Sequence, residues 1–163
     1  MNKLSDNWLQ SPHMAEVKLV YQYKRQMSSQ PVISSPDEAY DYIMSIWDQE
    51  TMDLQEEFAI ILLNNGLKVL GWYKVSRGGK QATIVDIPHV VCAAVLSNAH
   101  AVILAHNHPS GGLKASTADI RLTNRINEAL TNVGIRLHDH LIITREHYYS
   151  FNQHNKISKS SGT

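Results

Sequence analysis

The sequence predicts an α/β fold in which helices pack on the faces of a mixed β-sheet. Segments with strand-like and helix-like hydrophobic patterns alternate along the chain, as in layered α/β domains. Asn65-Gly66 separates two apolar runs, which favours a β-hairpin with a type I′ turn. Residues 101–105 are wholly apolar, as expected of a central strand that is covered on both sides.

The first helix is marked by its N-terminal residues. Ser35 is a natural N-cap, Pro36 suits the first helical position, and Glu38 completes a capping box. We expect this helix to end near residue 47 or 48. Before it, residues 17–24 roughly alternate apolar and polar side chains and predict a strand.

The middle of the chain predicts a hairpin, a short strand and a second helix. The hairpin strands are expected at residues 58–64 and 67–75, with a short strand at 83–85. Pro88 then begins a helix through residues 90–99. This helix has little polar surface, so we expect it to be well buried, and its Cys92 to pack as a small hydrophobic side chain.

The last third of the chain predicts a loop, a long helix and two strands. The loop follows the central strand, and Ser116 caps a helix that runs to about Val133. Gly134 stands where a C-terminal glycine cap belongs. Two strands are expected at residues 135–137 and 141–144.

Composition limits the classes of function. The 163 residues suit one domain that needs no disulfide, and Cys92 is the sole cysteine, so we expect a reducing, cytoplasmic setting. The 15 Lys and Arg residues balance 15 Asp and Glu residues, which gives no support for binding nucleic acid through its phosphates. No apolar run is long enough for a membrane helix, so we expect no membrane partner.

A candidate metal site follows the central strand. His106 and His108 are two residues apart, so both side chains project to the same side of an extended chain. Asp119 lies in the first turn of the next helix, and the intervening loop is long enough to fold back. Two histidines, one carboxylate and an open position form the ligand set of a catalytic zinc. A nearby Ser116 hydroxyl would hydrogen-bond an oxyanion.

The same residues have ordinary structural explanations. Ser116 and Asp119 also form a capping box, S-x-x-D, and a carboxylate has two oxygens that can serve a helix and a metal together. Isolated histidines are more often surface or hydrogen-bonding residues than ligands. His138 and His140, which flank Asp139, could orient the metal ligands or fill structural roles.

The segment 105–123 resembles the JAB/JAMM (MPN-type) metalloprotease motif, in which H-x-H is followed after seven residues by S-x-x-D. HNHPSG, the later DHLII and the closing YYSF are similar to the RadC branch of that superfamily. We therefore expect a leader and strand at residues 1–32, a RadC-like JAB/MPN domain at 33–153 and a flexible tail at 154–163. Members of this branch carry a further N-terminal helix-hairpin-helix region, which we expect this chain to lack.

The resemblance implies a three-layer fold like that of the cytidine deaminases and a site that holds Zn²⁺ through His106, His108 and Asp119. It implies a water at the fourth position, Ser116 near the oxyanion, and a glutamate that acts as acid and base. Glu56 fits that role because Phe58 lies two residues further on, and Glu57 is the alternative.

Two classes of function remain open at this stage. The first is a zinc peptidase or isopeptidase that acts on a protein or peptide through a zinc-bound water. The second is a RadC-type accessory module in DNA repair, replication or mobile-element function, with nucleic acid as a partner implied by the resemblance alone. A nucleobase deaminase needs a P-C-x-x-C ligand pair and a zincin needs H-E-x-x-H, and the chain has neither. The substrate and the oligomeric state stay open.

Overall fold

A computed structural model describes residues 27–78 and 85–157 of the chain. The strand expected at residues 17–24, the leader before it, residues 83–84 and the end of the tail lie outside the described residues. The elements are a short 3₁₀ helix at Met27–Ser29, then α1 (Pro36–Ile46), β1 (Glu57–Leu63), β2 (Val69–Arg77), α2 (Ile87–Leu96), β3 (Ala101–Asn107), α3 (Thr117–Thr131), β4 (Arg136–Ile143) and β5 (Tyr148–Ser150).

The strands form one five-stranded sheet in the order β2-β1-β3-β4-β5. β1 pairs antiparallel with both β2 and β3, whereas β3 and β4 are parallel and β4 and β5 antiparallel. The parallel pair requires a crossover, which the loop after β3 and α3 supply. The mixed sheet predicted from the sequence is therefore confirmed.

Two apolar clusters cover the two faces of the sheet, because alternate residues of a strand point to opposite sides. On one face, Ile61 of β1 and Ile103 of β3 pack with Ile43 of α1. On the other face, Leu104 of β3 packs with Val90 of α2 and other residues of α2 and α3. The result is three layers, α1 over the sheet over α2 and α3, which confirms the predicted fold class.

The capping box of α1 forms as the sequence predicts. Ser35 Oγ accepts the Glu38 N–H at 3.2 Å, and the Glu38 carboxylate accepts the Ser35 N–H at 3.1 Å. The helix ends at Ile46 and Trp47 is its C-cap, so the expected boundary is right to within two residues. No helix in the described ranges combines the length and the apolar character needed to span a membrane.

The hairpin between β1 and β2 has a different turn from the one predicted. Asn65 and Gly66 both have negative φ, and Leu67 has a φ of 57°. The Leu67 N–H donates to the Asn64 carbonyl at 3.0 Å, and the Asn64 side-chain oxygen accepts the N–H groups of Gly66 and Lys68. The type I′ prediction is wrong because the loop between Asn64 and Lys68 has three residues, 65–67, and the third, Leu67, adopts the left-handed conformation.

The prediction of a well-buried second helix is also wrong. Val90 and Ala94 of α2 are buried, but Val95 and Leu96 are 49% and 44% exposed, and Cys92 is exposed too. Within residues 27–78 and 85–157, α2 is in the outer layer on its side of the sheet, and only its face towards the sheet is covered. An apolar composition predicts which residues can be buried, but it does not supply an element to cover the opposite face.

The two strands predicted near the end of the core are a single strand, β4, because the polar residues between them stay in the sheet. Asp139 is buried, and its carboxylate accepts the N–H groups of His140 and Asn152 and the hydroxyl of Ser150. β5, which the sequence did not predict, pairs with the end of β4. This polar run thus continues a buried strand because the buried side chains of Asp139 and His140 have hydrogen-bond partners.

Candidate metal centre

The tip of β3 and the first turn of α3 meet at one edge of the sheet. His106 is in β3, His108 follows the strand directly, and their side chains lie on the face that carries α2 and α3. The loop between them and α3 turns back at Gly111, whose N–H donates to the His108 carbonyl and whose φ is 76°. A positive φ is readily adopted by glycine, so the HNHPSG segment favours this reversal.

Three possible ligand atoms converge at that meeting point. The Nε2 atoms of His106 and His108 are 3.0 Å apart. Asp119 Oδ1 lies 3.5 Å from His106 Nε2, and Asp119 Oδ2 lies 3.9 Å from His108 Nε2. Among the residues that the structure describes, these three form the one group of His, Cys, Asp and Glu side chains that could hold a metal ion.

The spacing and the donor types suit a tetrahedral ion. Bonds of 2.0–2.1 Å to zinc place the donors of a tetrahedral site about 3.3 Å apart, close to the distances found here. His108 Nδ1 lies 2.6 Å from the Gly112 carbonyl oxygen. A carbonyl oxygen only accepts hydrogen bonds, so His108 carries its proton on Nδ1 and directs an Nε2 lone pair into the site.

Burial keeps the first histidine in the state that binds metals. His106 is buried against the Phe58 ring, and this desolvation lowers the pKa of the imidazole to about 4, although the Asp119 charge raises it. The pKa of His140, which is also fully buried, is lowered well below its usual value for the same reason. Both rings are therefore neutral near pH 7, and a neutral imidazole is the form that ligates a metal.

Asp119 serves the helix and faces the candidate site at the same time. Its Oδ2 atom accepts the Ser116 N–H at 2.7 Å, and its own N–H donates to Ser116 Oγ at 3.1 Å, so the capping box is present. Its Oδ1 atom is the one nearer to His106. The two explanations of S-x-x-D weighed from the sequence are thus compatible in one geometry.

The two candidate glutamates point to opposite sides of the sheet. Phe58 pairs with His106 across β1 and β3, so Glu56, two residues before Phe58, lies on the face of the histidines. Burial is the main cause that raises the pKa of Glu56, and the charge of Asp119 raises it further while His108 lowers it. Glu56 therefore lies within electrostatic reach of two of the three possible ligands.

Glu57 is engaged elsewhere. Its fully buried carboxylate accepts hydrogen bonds from Lys74 Nζ at 2.7 Å and from Arg77 Nε at 2.5 Å. The Thr51 hydroxyl donates to Glu57 Oε1 at 3.4 Å. These partners fasten β2 to β1, which gives Glu57 a structural explanation and leaves Glu56 as the carboxylate near the site.

Asn107, between the two histidines, is a residue whose role the sequence analysis missed. It points to the opposite face, is fully buried, and its Oδ1 accepts the Glu57 N–H at 2.7 Å. Its Nδ2 donates to the carbonyls of Met52 and Gln55 at 2.5 and 2.9 Å. One amide thus ties the segment that carries Glu56 to the strand that carries the histidines. The only signal in the sequence was the asparagine of HNHPSG itself.

We expect Asn107→Ala to lower the free energy of unfolding of the metal-free protein by about 2–4 kcal/mol, because two carbonyls and one N–H lose their buried partner. Urea denaturation measures this change. Asn124→Ala, at an exposed position of α3, is the matched control and should shift stability by less than about 0.5 kcal/mol. Equal effects of the two substitutions would contradict the role assigned to Asn107.

The three-layer fold and the His-His-Asp group at the end of its central strand define a JAB-type domain. Residues 33–157 match the family model of the RadC-like JAB domain, so the chain belongs to that family.

Its curated relatives are named UPF0758 proteins. The protein from Porphyromonas gingivalis is 46% identical over 98 residues, which cover 60% of this chain and 43% of the relative. The one from Pelobacter propionicus is 37% identical over 128 residues, 78% of this chain and 54% of the relative. The one from Chlorobium phaeovibrioides is 32% identical over a stretch that covers 83% of this chain and 59% of the relative. This chain thus spans about half the length of the curated relatives it matches.

Proposed function

We propose that this chain is a zinc-dependent hydrolase that cleaves the amide bond of a peptide or an isopeptide. One observation carries the proposal: the Nε2 atoms of His106 and His108 and the Oδ1 atom of Asp119 converge at 3.0–3.5 Å. Two imidazole nitrogens at this distance either share a proton in a hydrogen bond or, when both rings carry their protons on Nδ1, direct two lone pairs at a position that a cation can take. Membership of the RadC-like JAB family agrees with such a site.

The residues present suit zinc. Two imidazoles and one carboxylate leave a fourth position open, as catalytic zinc sites do. When bound in such a site, zinc supplies Lewis acidity that lowers the pKa of water to about 7 and polarises a carbonyl group. His106, His108 and Asp119 would hold it.

Glu56 would move the proton. Its carboxylate lies on the face of the histidines and within electrostatic reach of Asp119 and His108. Partial burial raises its pKa above the usual value of a glutamate, as suits a group that first accepts a proton from water and then donates it to the leaving amine.

Ser116 would stabilise the oxygen of the scissile carbonyl. Its Oγ atom accepts the Asp119 N–H, and accepting that hydrogen bond leaves the hydroxyl proton available to another acceptor. Ser116 is exposed at the beginning of α3, next to the ligand Asp119, so the hydroxyl is accessible to a substrate. A positioned donor of this kind stabilises developing negative charge.

Metal content and hydrolysis of the wild-type protein test the proposal together. We expect about one zinc per chain after purification without chelators, and cleavage of members of a peptide and lysine-isopeptide library, detected by mass spectrometry. Cleavage should be lost on chelation and return with zinc. A protein that takes up no zinc would refute the site. A zinc-loaded protein that cleaves nothing would instead support the non-catalytic module.

A further inference from the structure

A chain of three hydrogen bonds runs from one end of the candidate metal centre to the other through the core. His106 Nδ1 lies 2.8 Å from His140 Nε2. His140 Nδ1 lies 2.7 Å from Thr123 Oγ1, and Thr123 Oγ1 lies 2.6 Å from the Asp119 carbonyl oxygen. This series of hydrogen bonds begins at His106 on β3, passes through His140 on β4, and ends on the backbone carbonyl of Asp119 in α3.

The Asp119 carbonyl, at the end of this series, sets the direction of all three hydrogen bonds. The Asp119 carbonyl can only accept, so the Thr123 hydroxyl donates to it. The same hydroxyl then has no proton left for His140 and must accept the proton of His140 Nδ1. Within β4, His140 is fully buried between the rings of Phe58 and Phe151, which favours its neutral form.

A neutral His140 with its proton on Nδ1 has an Nε2 atom that can only accept. His106 therefore donates from Nδ1, and its own Nε2 atom keeps an unshared electron pair directed at His108 and Asp119. Without this chain, the proton of His106 could equally stand on Nε2, where it would block a metal ion.

We propose that Thr123 and His140 form a tautomer relay that holds the proton of His106 on Nδ1 and so prepares its Nε2 atom for the metal. The inference rests on the proposed zinc site, and it makes both residues positioning residues. The relay also ties the strand that bears His106 to the helix turn that bears Asp119. If a methyl group replaces the Thr123 hydroxyl, which donates to the Asp119 carbonyl, the proton of His140 is no longer held on Nδ1. His140 can then carry it on Nε2 and donate it to His106.

Thr123→Val is the direct test, because valine has nearly the same shape and lacks the hydroxyl. We expect it to weaken zinc binding by roughly 10- to 100-fold in competition with a chelator of known affinity. Thr123→Ser should restore binding, since it restores the hydroxyl. Thr131→Val, at an exposed position of the same helix, is the control and should bind zinc as the wild type does.

The tautomer can be read without metal or activity. In nitrogen NMR spectra of the metal-free protein, the protonated and unprotonated ring nitrogens of a neutral histidine have distinct shifts. We expect His106 to be protonated on Nδ1 in the wild type and in Thr123→Ser, and to shift towards protonation on Nε2 in Thr123→Val. If Thr123→Val does not fold, His140→Gln, which keeps an acceptor for His106, should bind zinc more tightly than His140→Leu.

The outcomes separate the relay from the zinc site. A wild-type protein that binds no zinc would refute the proposed function. The relay alone would be refuted if the wild type binds zinc and Thr123→Val keeps both the zinc affinity and the His106 tautomer of the wild type. If Thr123→Val does not fold, equal zinc affinities of His140→Gln and His140→Leu, with an unchanged His106 tautomer, would refute it.

Discussion

Asp119→Asn is expected to lower zinc affinity by more than about 100-fold and to leave the helix cap in place. Loss of an outer-shell partner weakens metal binding by roughly 10- to 100-fold, and loss of an anionic ligand should exceed that range. Asparagine keeps an acceptor oxygen for the Ser116 N–H, which Asp119 now binds at 2.7 Å. Chelator competition measures the affinity, and thermal unfolding of the metal-free protein measures the cap.

Asp119→Ala separates the two roles of this carboxylate. It should lose zinc as Asp119→Asn does and in addition destabilise the metal-free protein by about 1 kcal/mol, because the capping box is gone. Asp86→Asn is the matched control, since Asp86 also contacts a histidine, His89, at 2.8 Å at an exposed position. Among the residues that the structure describes, this pair belongs to no three-residue group that could hold a metal ion. Zinc retained by Asp119→Asn would show that the carboxylate only caps the helix.

How much of this site the sequence could predict depends on how local its geometry is. The proposed ligands His106 and His108 lie two residues apart at the end of β3, and Asp119 is fixed by a cap whose sequence pattern is local too. The capping box of α1 was predicted correctly for the same reason. Short-range patterns of this kind are set by the backbone geometry of a single element.

The supporting contacts could not be predicted, because they depend on the register between distant strands. Leu104 pairs with His140 across β3 and β4, which places His140 beside His106, two residues along the strand. A polar run of His, Asp and His instead suggested a break between two strands. Likewise, Asn107 reaches carbonyls more than 50 residues away, and its chain neighbours gave no sign of them.

The choice between the two glutamates is an intermediate case. Glu56 directly precedes β1, and an alternation that continues to it places Glu56 on the same face as Phe58 and Glu57 on the opposite face. The two cations that pair with Glu57 lie on β2, and the register between β1 and β2 shifts between Phe58 and Ala59. The structure therefore adds the face that each side chain takes and the reason why Glu57 is occupied, whereas the sequence favoured Glu56 only through its spacing to Phe58.

Glu56→Gln is expected to lower kcat for amide hydrolysis by roughly 100- to 10,000-fold, the usual contribution of a positioned general acid and base. Zinc content should not change, because the three proposed ligands are intact. Glutamine keeps the size of the side chain and a hydrogen-bonding oxygen, so the loss would report on proton transfer rather than on packing.

Glu57→Gln is the control that the neighbouring position offers, and its expected effect is of another kind. The ion pairs with Lys74 and Arg77 are lost, and the free energy of unfolding should fall by about 1–3 kcal/mol, because both cations can still reach water. The folded fraction should keep the kcat of the wild type. If Glu57→Gln abolishes turnover while Glu56→Gln retains it, the proton is carried from the other face of the sheet, and the proposed geometry is wrong.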